Sequence, residues 1–322
     1  MNLVNLKKCG LLLSAFGILG VGACAQSTQL NADKDPSDPS ILEAGGSRGM
    51  LKQIVGYDSA RGGVVSPNIT AHLVYYGGKV VQNAKVIKVL YGSGTYASFV
   101  TGTGAGTSVA SFFKGVTSSL YFGWLTEYNT SNPAQVIGLG TYGGSVTITP
   151  ATSRNGATIS DSQLQAELSA QMTAGHLAAP TNNTIYMVFF PKGKHITQGG
   201  SRSCVSGGFC AYHGTFKRNS QNVYYGVLPD MSAGSGCDTG CGTSTPFGNQ
   251  TSVASHELIE AVTDPGYGLA TVFGPPLAWY DQFNGEIGDI CTAIQGSLST
   301  STGTYTVQKE WSNQKNACIV HK

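Results

Sequence analysis

Charge is the scarcest ingredient of this 322-residue chain, in which Asp, Glu, Lys and Arg together supply 11% of the residues. The 19 basic and 17 acidic side chains leave a formal net charge of +2. Two of the bases, Lys7 and Lys8, fall in an N-terminal stretch that reads as a removable leader, so the remainder is neutral. So balanced a chain has no bulk charge with which to hold nucleic acid or a membrane surface. Long apolar runs are also missing beyond the N-terminus, where no segment reaches the roughly 18 residues of a transmembrane helix. Internal repeats are absent. So is a phosphate loop: Gly102-Thr103-Gly104-Ala105-Gly106 lacks the Lys-Ser/Thr ending and reads as a turn. What the chain has instead is glycine, 44 residues of it, and more Tyr than Phe, 15 against 12. That balance suits a well-folded extracytoplasmic protein.

The N-terminus agrees. Lys7-Lys8, the apolar run Cys9 to Gly22 and the small-residue site Ala23-Cys24-Ala25 together make an export signal over residues 1–25. Secretion follows from that reading. Val21-Gly22-Ala23-Cys24 also fits a lipobox, in which Cys24 would carry a lipid anchor. Residues 26–65, with Asp35-Pro36 and Asp38-Pro39, read as a flexible linker or short propeptide, leaving 66–322 as the folded domain. Six cysteines remain after the leader: Cys204, Cys210, Cys237, Cys241, Cys291 and Cys318. An even number in an exported chain predicts three disulfides, for which spacing alone leaves about 15 pairings open. The least demanding is sequential, 204–210, 237–241 and 291–318.

Strand and helix signals alternate along that domain. Residues 69–76 and 85–91 are β-branched and aromatic and flank Gly77-Gly78, which predicts a hairpin or neighbouring strands. Helical spacing runs from Val109 to Tyr128, and strand composition returns from Val136 to Thr149. Ser160 and Gln163 form a capping box opening a helix over Leu164, Leu168 and Met172, closed by Gly175. Thr184 to Phe190 reads as a strand buried on both faces, and Val223 to Leu228 as another. The fold class is therefore α/β or α+β, one domain with a mixed sheet.

Chemistry concentrates in Ser255-His256-Glu257-Leu258-Ile259-Glu260-Ala261-Val262-Thr263-Asp264-Pro265, a helix that Thr251 or Ser252 can cap and Pro265 ends. At about 100° per residue His256 and Glu260 share one face, so both can reach one ion. Glu257 is placed one step around to take a proton from water. The pattern is of the H-E-x-x-H type with Glu as second ligand; a solvated face with a chance His–Glu pair is the alternative. A third ligand must come from elsewhere. Residues 279–289 offer Glu286, with Asp289 to bond the free ring nitrogen of His256 from behind.

Two resemblances bear on this site. His256 to Asp264 resembles the active-site helix of thermolysin-type zincin metallopeptidases, and Asn284 to Asp289 is similar to the segment holding their third ligand and orienting Asp. Glu260 stands where those enzymes have a second His, and Asp289 lies one residue closer to Glu286. Over residues 73–319 the chain also resembles the EXORDIUM, or phosphate-induced protein 1, family. The landmarks are Tyr76-Gly77-Gly78, Cys210-Ala211-Tyr212-His213, the His256–Pro265 helix, Ala278 to Asp281, Gly285 to Cys291 and Trp311-Ser312-Asn313. The second resemblance singles out His213, as an oxyanion donor or additional metal ligand, or else as a buried, hydrogen-bonded histidine. Together the resemblances imply an exported zincin-like domain. On that expectation His256, Glu260 and Glu286 hold Zn2+, and Glu257 and His213 serve hydrolysis of a peptide or cell-surface substrate. The competing expectation is a non-catalytic extracellular protein whose carboxylates are structural or bind Ca2+.

Overall fold

The continuous apolar run at 184–189 becomes the strand around which the layers are built. In the computed structural model, which describes residues 50–52 and 70–322, all six residues of Thr184–Phe189 are buried. The main sheet has six strands: β1 (Met50–Lys52), β2 (Lys85–Tyr91), β3 (Thr141–Ile148), β4 (Thr184–Phe189), β5 (Phe209–Arg218) and β6 (Gln221–Leu228). Their order is β1-β5-β6-β4-β2-β3. Strands β3, β2, β4 and β6 pair in parallel, while β5 runs antiparallel to β6 and β1 antiparallel to β5. The expected mixed sheet is present. The described residues all fall in one compact unit. The proposed leader with its Cys24 anchor lies outside the described residues, as does the lead-in at 26–65 apart from Met50–Lys52.

Because side chains alternate along a strand, Ile185, Met187 and Phe189 enter one core and Tyr186 and Val188 the other. The longer helices α1 (Val109–Val116) and α3 (Pro246–Thr263) pack on the first face, with α2 (Asp161–Thr173) on the second. The predicted capping box opens α2: Ser160 Oγ accepts from Gln163 N, and Gln163 Oε1 accepts from Ser160 N. A C-terminal hairpin, β7 (Gln295–Thr300) and β8 (Gly303–Gln308), joins the first core through Leu298, Tyr305 and Val307.

Four expectations need correction. The hairpin at Gly77-Gly78 does not form: Val74–Tyr75 pairs with Trp279–Tyr280, and β2 lies between β3 and β4. The helix predicted over 109–128 stops at Val116, where the Thr117 hydroxyl donates to the Phe113 carbonyl and a short helix restarts at Leu120. Helix α3 begins more than a turn before Thr251, because Thr245 caps Gly248 N and Pro246 takes the first helical position. The disulfides are Cys204–Cys237, Cys210–Cys241 and Cys291–Cys318, so only the last matches the sequential scheme. The loop before α3 lies along the start of β5 and brings each crossed pair within bridging range, at Cα separations of 4.6 and 5.6 Å.

Candidate metal centre

Helix α3 has no solvated face, which disposes of the surface-helix alternative. Its residues from Gly248 to Thr263 are all buried, the polar stripe included. The i, i+4 spacing brings His256 Nε2 to 3.0 Å from Glu260 Oε1, as the helical repeat requires. The other oxygen of Glu260 points elsewhere. It lies 3.4 Å from Nδ1 of His213, a residue on β5 whose parity turns it toward α3. Glu257 Oε2 is 3.6 Å from the same nitrogen, and Glu286 Oε1 is 3.5 Å from His213 Nε2. Glu260 thus joins two groups of donors, His213–Glu257–Glu260 and His256–Glu260–Asp289, each able to hold a metal ion.

The structure therefore distributes the predicted ligands differently. Glu286, expected beside His256, sits against His213. Asp289, expected on the free nitrogen of His256, has Oδ1 3.9 Å from Nε2. The opposite ring nitrogen, Nδ1, instead meets Gln308 Nε2 at 2.6 Å. Gln308 comes from β8 and also donates to the Gly288 carbonyl at 2.8 Å. No sequence signal marked it, since nothing local tells which hairpin residue will meet a helix some 50 positions away. His72, His176, His195 and His321 stand outside both groups.

Glycine makes the approach of the 285–289 segment possible. A Cβ built at Gly288 would lie 2.6 Å from His256 Nδ1 and 2.9 Å from Glu260 Oε1. One at Gly285, where φ is +93°, would lie 2.4 Å from Asp289 Oδ2. Only a residue without a side chain fits either place. Asp289 N then donates to Glu260 Oε1 at 3.1 Å, and its carboxylate accepts from Glu286 N.

The electrostatics are those of a site short of positive charge. His213, His256, Glu257, Glu260 and Glu286 are each no more than 2% exposed. Among the described residues, both ring nitrogens of His213, Nε2 of His256 and both carboxylate oxygens of Glu257 and Glu286 have no hydrogen-bond partner. Burial pushes Glu260 up, but the imidazoles beside it, His256 first and then His213, outweigh burial and hold the group at about 2. The others go the opposite way. Burial raises Glu257 against the pull of His213 and His256, raises Glu286 well above the carboxylate range, and lifts Asp264 and Asp289 to about 8. His213 is raised well above its usual value, because the surrounding carboxylates, Glu286 first, overcome its burial. Lacking a cation, such a cluster neutralises itself with protons.

Beside the centre lies a cavity of about 460 Å³, lined among others by His213, Gly214, Thr215, Tyr267, Asp161 and Tyr225. Comparison with protein-family models, with curated proteins and with solved structures finds no match to this chain.

Proposed function

We propose that the protein is an exported, metal-dependent hydrolase, zincin-like in layout, that binds one divalent transition ion beside Glu260. One observation carries the reading: imidazoles and carboxylates from a strand, a helix and a loop converge in the interior, with the ring nitrogens of His213 and the carboxylate oxygens of Glu257 and Glu286 left without hydrogen-bond partners. Buried carboxylates without a counter-charge cost several kcal/mol each, and a bound cation offsets that cost. Zinc fits a donor set of imidazole nitrogen and carboxylate oxygen, and each group contains an imidazole. Calcium takes oxygen ligands alone, so the calcium reading is the poorer fit.

When bound, the ion would polarise a carbonyl and make water acidic enough to attack it near neutral pH. The residues of the chain do the rest. Glu260, ionised at all ordinary pH values, anchors the ion. Glu286 and Asp264, raised by burial, can hold a proton close to the reaction. The cavity brings substrate to His213, and the backbone of Gly214, Thr215 and Gly268 along its wall suits an extended peptide. Three disulfides fit an oxidising compartment.

Metal analysis is the test. Purified protein dialysed against zinc should retain about one ion per chain, and Glu260→Gln should lose it. Hydrolysis of a mixed peptide library should stop with a chelator and return with zinc. A wild-type chain that retains no ion after saturation would sink the proposal.

A further inference from the structure

We infer that the imidazole ligand of the ion is His213 on β5, and that His256, the histidine of the helix motif, is a positioning residue that holds Glu260. The inference deepens the metal-dependent reading and rests on it.

The tautomer of His256 is set by Gln308. The side-chain nitrogen of Gln308 lies 2.8 Å from the Gly288 carbonyl and 2.6 Å from His256 Nδ1. An amide nitrogen only donates. Turning the amide over would press its oxygen against the Gly288 carbonyl, so the orientation is decided by that carbonyl. His256 Nδ1 therefore accepts, and the ring carries its proton on Nε2. That nitrogen faces Glu260 Oε1 at 3.0 Å and has no lone pair to offer a metal.

His213 is arranged the other way round. Glu286 Oε1 lies on the Nε2 side at 3.5 Å, placed to accept that nitrogen's proton once an ion holds Nδ1. Nδ1 faces Glu260 Oε2 at 3.4 Å and Glu257 Oε2 at 3.6 Å. Donors each about 2.1 Å from a tetrahedral ion stand about 3.4 Å apart. The spacing around Nδ1 is that of three ligands sharing one ion, and too loose for hydrogen bonds: both ring nitrogens have no such partner among the described residues. His213 is also one of the residues that line the cavity. Glu257, expected as the proton acceptor, becomes the third ligand.

The test uses the full mature chain with 15N-labelled histidine, titrated with zinc alone, each ring assigned through its own backbone. Nδ1 of His213 should shift on zinc binding while His256 keeps its proton on Nε2. Among variants checked for folding by circular dichroism, His213→Ala should lose more than about 100-fold in zinc affinity. His256→Ala and Glu286→Gln should lose about 10–100-fold, the cost of removing an outer-shell partner. Zinc on Nε2 of His256, or stoichiometric binding surviving in His213→Ala, would overturn the assignment and leave the hydrolase reading standing. No zinc uptake by the wild type would remove both. The titration of the wild type decides the question even where a variant fails to fold.

Discussion

Glu167 illustrates, away from the metal centre, how a single charge is accommodated in this interior. Its side chain is 1% exposed and accepts from Arg154 Nε at 2.6 Å, Gln171 Nε2 at 2.7 Å and Ala151 N at 3.2 Å. Burial pushes the carboxyl up, but the bonds from Gln171, Arg154 and Ala151 and the Arg154 charge outweigh it, so its pKa lies below the usual carboxylate range. A depressed folded-state value means that the unfolded chain takes the proton first. The stabilisation is present above the unfolded value of about 4.3 and is lost as pH falls through the folded one. Glu167→Gln is expected to flatten the acid limb of stability below about pH 5 in urea titrations. An unchanged acid limb would count against the bonded network. The capping box was readable at this scale because it is local. Gln308 was not, because its meaning depends on the His256 ring and the Gly288 carbonyl meeting across the fold.

At the scale of elements, β5 and α3 matter most, since one supplies His213 and the other Glu257 and Glu260. Two disulfides tie them. Cys204–Cys237 and Cys210–Cys241 fasten the segment before β5 and the start of β5 to the stretch that leads into α3, with sequence separations of 33 and 31. Closing loops of that length is worth about 3–4 kcal/mol each in the chain-entropy picture. Replacing Cys210 and Cys241 by Ser should therefore lower the unfolding midpoint in urea and weaken zinc binding together. Weaker zinc binding without loss of stability would mean that the bridge does not act as a clamp. The sequence showed α3 through its apolar and polar stripes. Strand β5 escaped notice because Gly207 and Gly208 before it, and Gly214 within it, mask its alternation. Its tertiary partners α3 and β6, rather than its own propensity, make it a strand.

For the molecule as a whole, an ion that binds only the folded chain is part of its stability. At zinc about 100 times its Kd the gain is about 2.7 kcal/mol. Thermal unfolding of the wild type should shift upward by several degrees with zinc and fall back with a chelator, while Glu260→Gln stays insensitive to both. Equal midpoints with and without zinc would speak against a folded-state site. Composition, alternation and capping determined in advance a mixed sheet with buried strands, a capped helix α2 and a helix carrying His256 and Glu260 on one face, because each of these is a local or periodic property of the chain. Which cysteines pair, which histidine meets which carboxylate, and where the proton sits on His256 were left to the tertiary structure. Those are contacts between residues from 20 to 73 positions apart, and their geometry depends on how β5, the 285–289 segment and the C-terminal hairpin pack around α3.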